Sequence, residues 1–181
     1  MVSDMREMDE NPSGTTHTIS LLVENKPGVL HRIAGLFSRR GFNIASLTVG
    51  PTEHAEYSRM TIVVLLRSKN VEQVLRQVQK LVPVVEVREL SPHDLVDREL
   101  MLVKIRTPER NHTELRALAE TYEANVVDVS PDALIVEASG NAGKLDALEE
   151  RLRPFGIQEL CRSGRIALER GFKTLAPPSL K

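Results

Sequence analysis

The 181 residues contain no tryptophan, two tyrosines and four phenylalanines. An interior built from this chain must therefore be aliphatic, and surfaces for stacking bases or sugars are not expected. Cysteine occurs once, as Cys161, which excludes an intramolecular disulfide and any zinc site made from several thiolates. No apolar run approaches the roughly 18–20 residues that a helix needs to cross a bilayer. Charge of one sign is missing as well. The 24 Lys and Arg residues face 25 Asp and Glu, for a net charge of −1, so no global field draws the chain to nucleic acid or an anionic membrane. The opening MVSDMREMDENPSGTT has no apolar core and sets one arginine against four carboxylates. Secretory signals need such a core, and organellar transit peptides avoid acidic residues. A cytoplasmic protein with neither nucleic acid nor membrane as partner is the expectation.

What is present is ordinary globular material, 41% hydrophobic and 27% charged, enough for one or two compact domains. Residues 1–16 read as a disordered leader. From His17, Ile19, Leu21 and Val23 alternate with Thr18, Ser20 and Leu22, the pattern of a strand with one buried face. Asn25-Lys26-Pro27-Gly28 interrupts it, and Leu30, Ile33, Ala34 and Phe37 then recur at helical spacing. Arg39 and Arg40 suit the negative end of that helix, and Gly41 suits the position just past it. Strands are predicted at 42–49 and 59–66, around a turn at Gly50-Pro51. Val71, Val74, Leu75 and Val78 mark a second helix, and 84–87 a fourth strand.

The order β-α-β-β-α-β describes a ferredoxin-like unit over residues 17–91. A polar linker, 92–98, separates it from a repeat of the same order over 99–171, and 172–181 forms a tail. In the repeat, Asn111 is the expected cap of a helix carrying Leu115, Leu118, Ala119 and Tyr122. Asn141 caps another, with Leu145, Leu148 and Leu152 on its apolar face. Asn43-Ile44 and Asn125-Val126 begin matching strands in the two halves. The fold class is thus α+β: two βαββαβ domains, each an antiparallel sheet with helices on one face. The other face and the edge strands need cover, so self-association is expected.

Catalytic chemistry is hard to find. His17, His31, His54, His93 and His112 are scattered, with no pair three or four residues apart, and read as solvated surface groups rather than metal ligands. Cys161 lies on a short apolar strand and reads as packing. Glu149-Glu150 belongs to a polar helix face. Gly140-Asn141-Ala142-Gly143-Lys144 lacks the spacer and the Ser/Thr of a phosphate loop and reads as a capped helix entry. One place suits a ligand. A helix begins directly after Asn25-Lys26-Pro27-Gly28, and helix N-termini offer unpaired N–H groups to a carboxylate. Gly28 permits close approach, Asn43 offers an amide donor and a carbonyl acceptor, and Val29, Leu30 and Ile44 can wall an apolar side chain. That is the mixture a free amino acid requires. The same residues also fit a plain turn with Asn43 as its cap.

The run from His17 to Leu30, HTISLLVENKPGVL, resembles the opening of an ACT domain. Its continuation RIAGLFSRRGFNIASL, from Arg32 to Leu47, resembles the small regulatory subunit of acetolactate synthase (acetohydroxyacid synthase). So do Ser58-Arg59-Met60-Thr61-Ile62, the run RELMLVK from Arg98, Val127-Asp128-Val129-Ser130-Pro131, Gly140 to Leu145, and Arg162-Ser163-Gly164. The resemblance covers about residues 17–171. It implies a subunit without catalytic residues or cofactors of its own, and with no metal. Such a subunit dimerises by joining its ACT sheets side by side. It binds a catalytic large subunit that carries thiamine diphosphate, magnesium and flavin (FAD), raises its activity and confers feedback inhibition by valine or a related branched-chain amino acid. The effector contacts it implies are Asn25, Gly28, Val29 and Leu30 of one protomer with Asn43 and Ile44 of its neighbour.

Other readings fit less of the chain. A free-standing ACT sensor, or a regulator of another enzyme, leaves the matches beyond residue 98 without a reason. An acylphosphatase-like hydrolase needs an arginine after the first strand, where only Lys26 stands. An RNA-binding sheet should display aromatics on its central strands, where Ile19, Leu21, Met60 and Ile62 occur instead.

Overall fold

The computed structural model describes residues 15–66, 71–108 and 111–177, so the expected leader lies largely outside the described residues. Two compact units are present. The first comprises residues up to Leu95 together with Glu169 onward, and the second runs from Val96 to Leu168.

The first unit contains β1 (Thr15–Glu24), α1 (Val29–Arg39), β2 (Ile44–Pro51), β3 (Tyr57–Leu66), α2 (Val71–Gln79) and β4 (Val84–Leu90). Its antiparallel sheet has the order β2-β3-β1-β4. Ile19, Leu21 and Val23 of β1 and Met60, Ile62 and Val64 of β3 meet Ile33 and Phe37 of α1 and Val74 and Val78 of α2 in one aliphatic core. Full burial of such a side chain contributes about 1.5–3 kcal/mol relative to exposure. Phe37 adds an aromatic contact, edge to face with Phe42 at 6.4 Å between centroids.

Helix α1 is one residue out of the expected phase. Val29, Ile33, Leu36 and Phe37 are buried, whereas Leu30 is 41% exposed. The stripe starts at Val29 because the left-handed Gly28, φ +83°, turns the chain so that the first helical residue faces the sheet. Gly41, φ +69°, ends the helix as expected, with Arg40 as its cap. The predicted turn at Gly50-Pro51 is still strand, because Pro51 lies on an edge where no N–H is needed; the connection is 52–56. Strand β1 is buried on both faces, with Thr18, Ser20 and Leu22 as inaccessible as their apolar neighbours.

The second unit repeats the plan with β5 (Leu95–Arg106), α3 (His112–Thr121), β6 (Asn125–Ser130), β7 (Ala133–Gly140), α4 (Ala142–Leu152) and β8 (Ile157–Arg162). The order β6-β7-β5-β8 is that of the first sheet, and an added strand, β9 (Ile166–Glu169), pairs with β5. Met101, Val103, Ile105, Leu134 and Val136 pack against Leu115 of α3 and Leu145, Leu148 and Leu152 of α4. Asn141 caps α4 as expected, its Oδ1 accepting from the Lys144 N–H at 2.9 Å. Asn111 precedes α3 but makes no side-chain cap bond, since its own backbone is already helical at φ −93°, ψ −4°.

The domain bounds shift from those read in sequence. Residues 95–98 of the expected linker belong to β5, leaving 91–94 as the connection. At the other end, Glu169 and the residues after it belong to the first unit, so the second ends before 171 and the tail is a part of the first.

Candidate functional site

The segment between β1 and α1 is held from two sides. The Glu24 N–H donates to Pro83 O at 2.9 Å and the Asn25 N–H to Glu56 O at 2.7 Å. The Asn25 side chain also donates, from Nδ2 to Ala55 O at 3.0 Å, so this residue anchors the loop to the β2–β3 connection. Lys26 pairs with Glu24 at 3.0 Å. Gly28 follows at φ +83°, and a Cβ built there would meet nothing within 4 Å, which leaves open space directly in front of the helix. Helix α1 has no side-chain cap and no acidic residue in its first turn. The Val29 N–H donates to Lys26 O at 3.4 Å, so the N–H groups of Leu30 and His31 and the positive dipole end are what this helix entrance offers to an anion.

Asn25 and Gly28 are exposed and Leu30 is 41% exposed, but Val29 is only 5% exposed and is part of the core. Val29 therefore supports the loop from below and offers no ligand wall. Asn43 is exposed immediately before β2, and Ile44 is half-buried as its first residue. These two do not meet the Asn25–Leu30 segment within one chain. Glu24 pairs with Tyr57 at the start of β3, while Ile44 pairs with Val64 near its end. Seven residues of strand separate the pairings, roughly 23 Å at 3.3 Å per residue.

Edge composition differs across this sheet. The β2 edge, IASLTVGP, carries no charge, whereas the β4 edge, VVEVREL, carries Glu86, Arg88 and Glu89. Apart from Pro51 at its end, this edge lacks the charges that guard against pairing with another chain.

Other polar groups lie where sequence reading did not put them. His17 is 8% exposed and its Nδ1 meets Glu89 Oε1 at 2.5 Å, and His112 is equally buried beside Thr107 O, so two of the five histidines are not surface groups. Cys161, expected to pack, is exposed. Ile19, Leu21, Met60 and Ile62 are covered by the helices, and the face an RNA-binding sheet would use carries Ser20, Leu22, Arg59, Thr61 and Arg88 instead. The register also puts Tyr57 on this face, half-buried opposite Glu24 at the start of β3. On that face burial lowers the pKa of Arg59. Burial also acts against charge on Arg88, but hydrogen bonds with Glu86 and Glu169 outweigh it and raise its pKa. No local periodicity announces this cluster, because Arg88 and Glu169 are 81 residues apart. Among the described residues no group of three or more His, Cys, Asp or Glu side chains can hold a metal, and no helix is long and apolar enough to cross a membrane.

Comparison with known proteins gives a consistent likeness along nearly the whole chain. A family model described as the small subunit of acetolactate synthase matches residues 98–171, and one for the AHAS small subunit-like ACT domain matches 19–86. The acetolactate synthase small subunit of Mycobacterium bovis is 50% identical over 159 residues, covering 88% of this chain and 95% of that one. A probable acetolactate synthase small subunit of Methanothermobacter thermautotrophicus is 48% identical over 161 residues, covering 88% and 96%. Among solved structures, the acetolactate synthase small subunit of Thermotoga maritima superposes with a TM-score of 0.81 at 38% identity, covering 88% of this chain and 99% of that one.

Proposed function

The chain belongs to the acetolactate synthase small-subunit family, and on that premise we propose that two copies bind valine between them, where α1 of one protomer and β2 of the other begin. As a small, regulatory subunit it has a catalytic large subunit as partner. In the proposed assembly it works in the cytoplasm, raises the activity of that subunit and makes it sensitive to feedback inhibition. Thiamine diphosphate, magnesium and flavin reside on the large subunit.

The observation that carries this reading is the uncharged edge β2. If two β2 edges pair antiparallel, the start of one strand runs beside the end of the other. The chain just beyond Pro51 is the connection to which Asn25 is bonded. Pairing of this kind brings Asn43 and Ile44 of one copy to the Asn25–Leu30 segment of the other, across a gap that one chain alone cannot close. The α1 N–H groups beyond Gly28 then take the carboxylate of the amino acid. The Asn43 side-chain carbonyl accepts from its ammonium, and Leu30 and Ile44 enclose its branched side chain. Two equivalent sites follow from the twofold symmetry.

Control follows by linkage. Valine favours one arrangement of the paired units, and that arrangement supports the catalytic subunit less well. A coupling of about 1–3 kcal/mol gives several-fold to hundred-fold control, and the catalytic subunit must alter valine affinity by the same factor.

Calorimetric titration of the full chain with valine and with leucine, alone and mixed with the catalytic subunit, tests the reading. Saturable binding that vanishes in Asn43→Ala, with the melting temperature unchanged, supports it. Absence of heat from both amino acids under both conditions overturns the site.

A further inference from the structure

Beyond β9 the chain turns at Gly171, φ +78°, and residues 173–177 continue without regular structure as part of the first unit. Two arginines hold this segment through its main chain. Arg88 donates to Thr174 O at 3.1 Å and to the Glu169 carboxylate at 3.1 Å. Arg59 donates to Leu175 O at 3.3 Å, while its other terminal nitrogen reaches Ser20 Oγ at 3.5 Å. In the sheet, Ser20 is level with Arg88 and Leu22 with Arg59, so the arginines flank β1 on the face away from the helices. Leu175 is 7% exposed and Pro177 is buried, whereas Phe172 is fully exposed. The Arg170 N–H donates to Asp94 O at 2.7 Å, and among the described residues no backbone–backbone hydrogen bond follows it in 171–177.

We propose that residues 170–177 are a releasable latch seated on a peptide-docking site of the outer sheet face, with Arg59 and Arg88 gripping its carbonyl oxygens and Leu175 as its apolar anchor. Side chains alone hold the segment beyond Arg170, so release breaks no sheet ladder and requires less than opening a strand. Guanidinium groups bonded to successive main-chain carbonyls recognise an extended backbone rather than one sequence. The apolar anchor and the acidic Glu169 supply the selectivity. A face built in this way accepts the same segment in trans, from a second copy, once its own latch is displaced. Closure of the first sheet is thus conditional on the far end of the chain.

Two measurements on the full-length protein decide the matter. Trypsin cleavage after Lys173 should quicken roughly ten-fold in Arg59→Ala and in Leu175→Asp, the size expected for losing a charged hydrogen bond or a buried anchor, with residues 15–66 and 71–90 left uncut. Unchanged cleavage in both variants, or cleavage spreading through those residues, overturns the latch. A fluorescent peptide of residues 169–177 should then bind saturably to the Leu175→Asp protein, and roughly ten-fold more weakly when Arg59→Ala is added. Failure of the peptide to bind, or indifference to Arg59, overturns the docking site.

Discussion

Gly28 shows how much one residue contributes at the entrance of α1. Its φ of +83° lies in the left-handed region, and the space around it is open. An added methyl group would meet no atom, so substitution acts through the backbone alone. Gly28→Ala should destabilise the first unit by about 1–2 kcal/mol, the cost of a left-handed L-residue, and weaken valine binding because the helix entrance shifts. Urea unfolding and calorimetry on the same sample check both; full stability with full affinity would show that neither the turn nor the close approach matters there. Asn25 and Asn43 carry the same amide and lie on either side of α1 in the chain. Structure separates them: Asn25 Nδ2 is committed to Ala55 O, whereas Asn43 is exposed at the other end of the sheet. Spacing gives the period of a helix but not its rotation, so it did not show that the Val29 side chain enters the core.

At the scale of elements, β2 makes the sharpest claim. Val49 is 46% exposed on it and no charged residue guards it. Val49→Lys places an ammonium where a second β2 would pair, a device natural edges use against association. Sedimentation should show a dimer for the parent protein and a monomer for the variant, and the heat of valine binding should vanish with the dimer. A variant that stays dimeric and still binds valine would move the interface elsewhere. The elements themselves were well announced by periodicity. Strand β1 was read with one buried face and has two, because alternation reports only the difference between faces. Ser20 is as buried as Ile19, its Oγ accepting from Arg59, and Thr61 is nearly so, which hydropathy alone does not report.

For the molecule as a whole, charge on the latch gives a pH dependence. A hydrogen bond with Lys173 lowers the Glu169 pKa below its ordinary 4.5; burial opposes it, and the hydrogen bond with Arg88 adds to the lowering. Glu86, Arg88, Arg59 and Lys173, with Glu53 acting on Arg59, are charged groups that meet at this cluster. A carboxyl lowered on folding stabilises above its unfolded value and ceases to do so as pH falls through its folded one. Trypsin is inactive in that range, so pepsin is the probe. Cleavage within residues 170–177 should rise as pH is taken from 5 to below 4 in the parent, and depend less on pH in Glu169→Gln; identical profiles would remove Glu169 from the latch.

The sequence by itself determined the two βαββαβ units, their aliphatic cores, the absence of any recognisable catalytic motif and the family. Each of these rests on local periodicity or on runs of residues close along the chain. Tertiary structure alone decided that Asn43 lies a strand's length from Gly28, that β2 is an edge strand of its sheet, and that residues 169–177 belong to the first unit. Those facts depend on strand order and register, which join residues such as Arg88 and Glu169 that no sequence period connects.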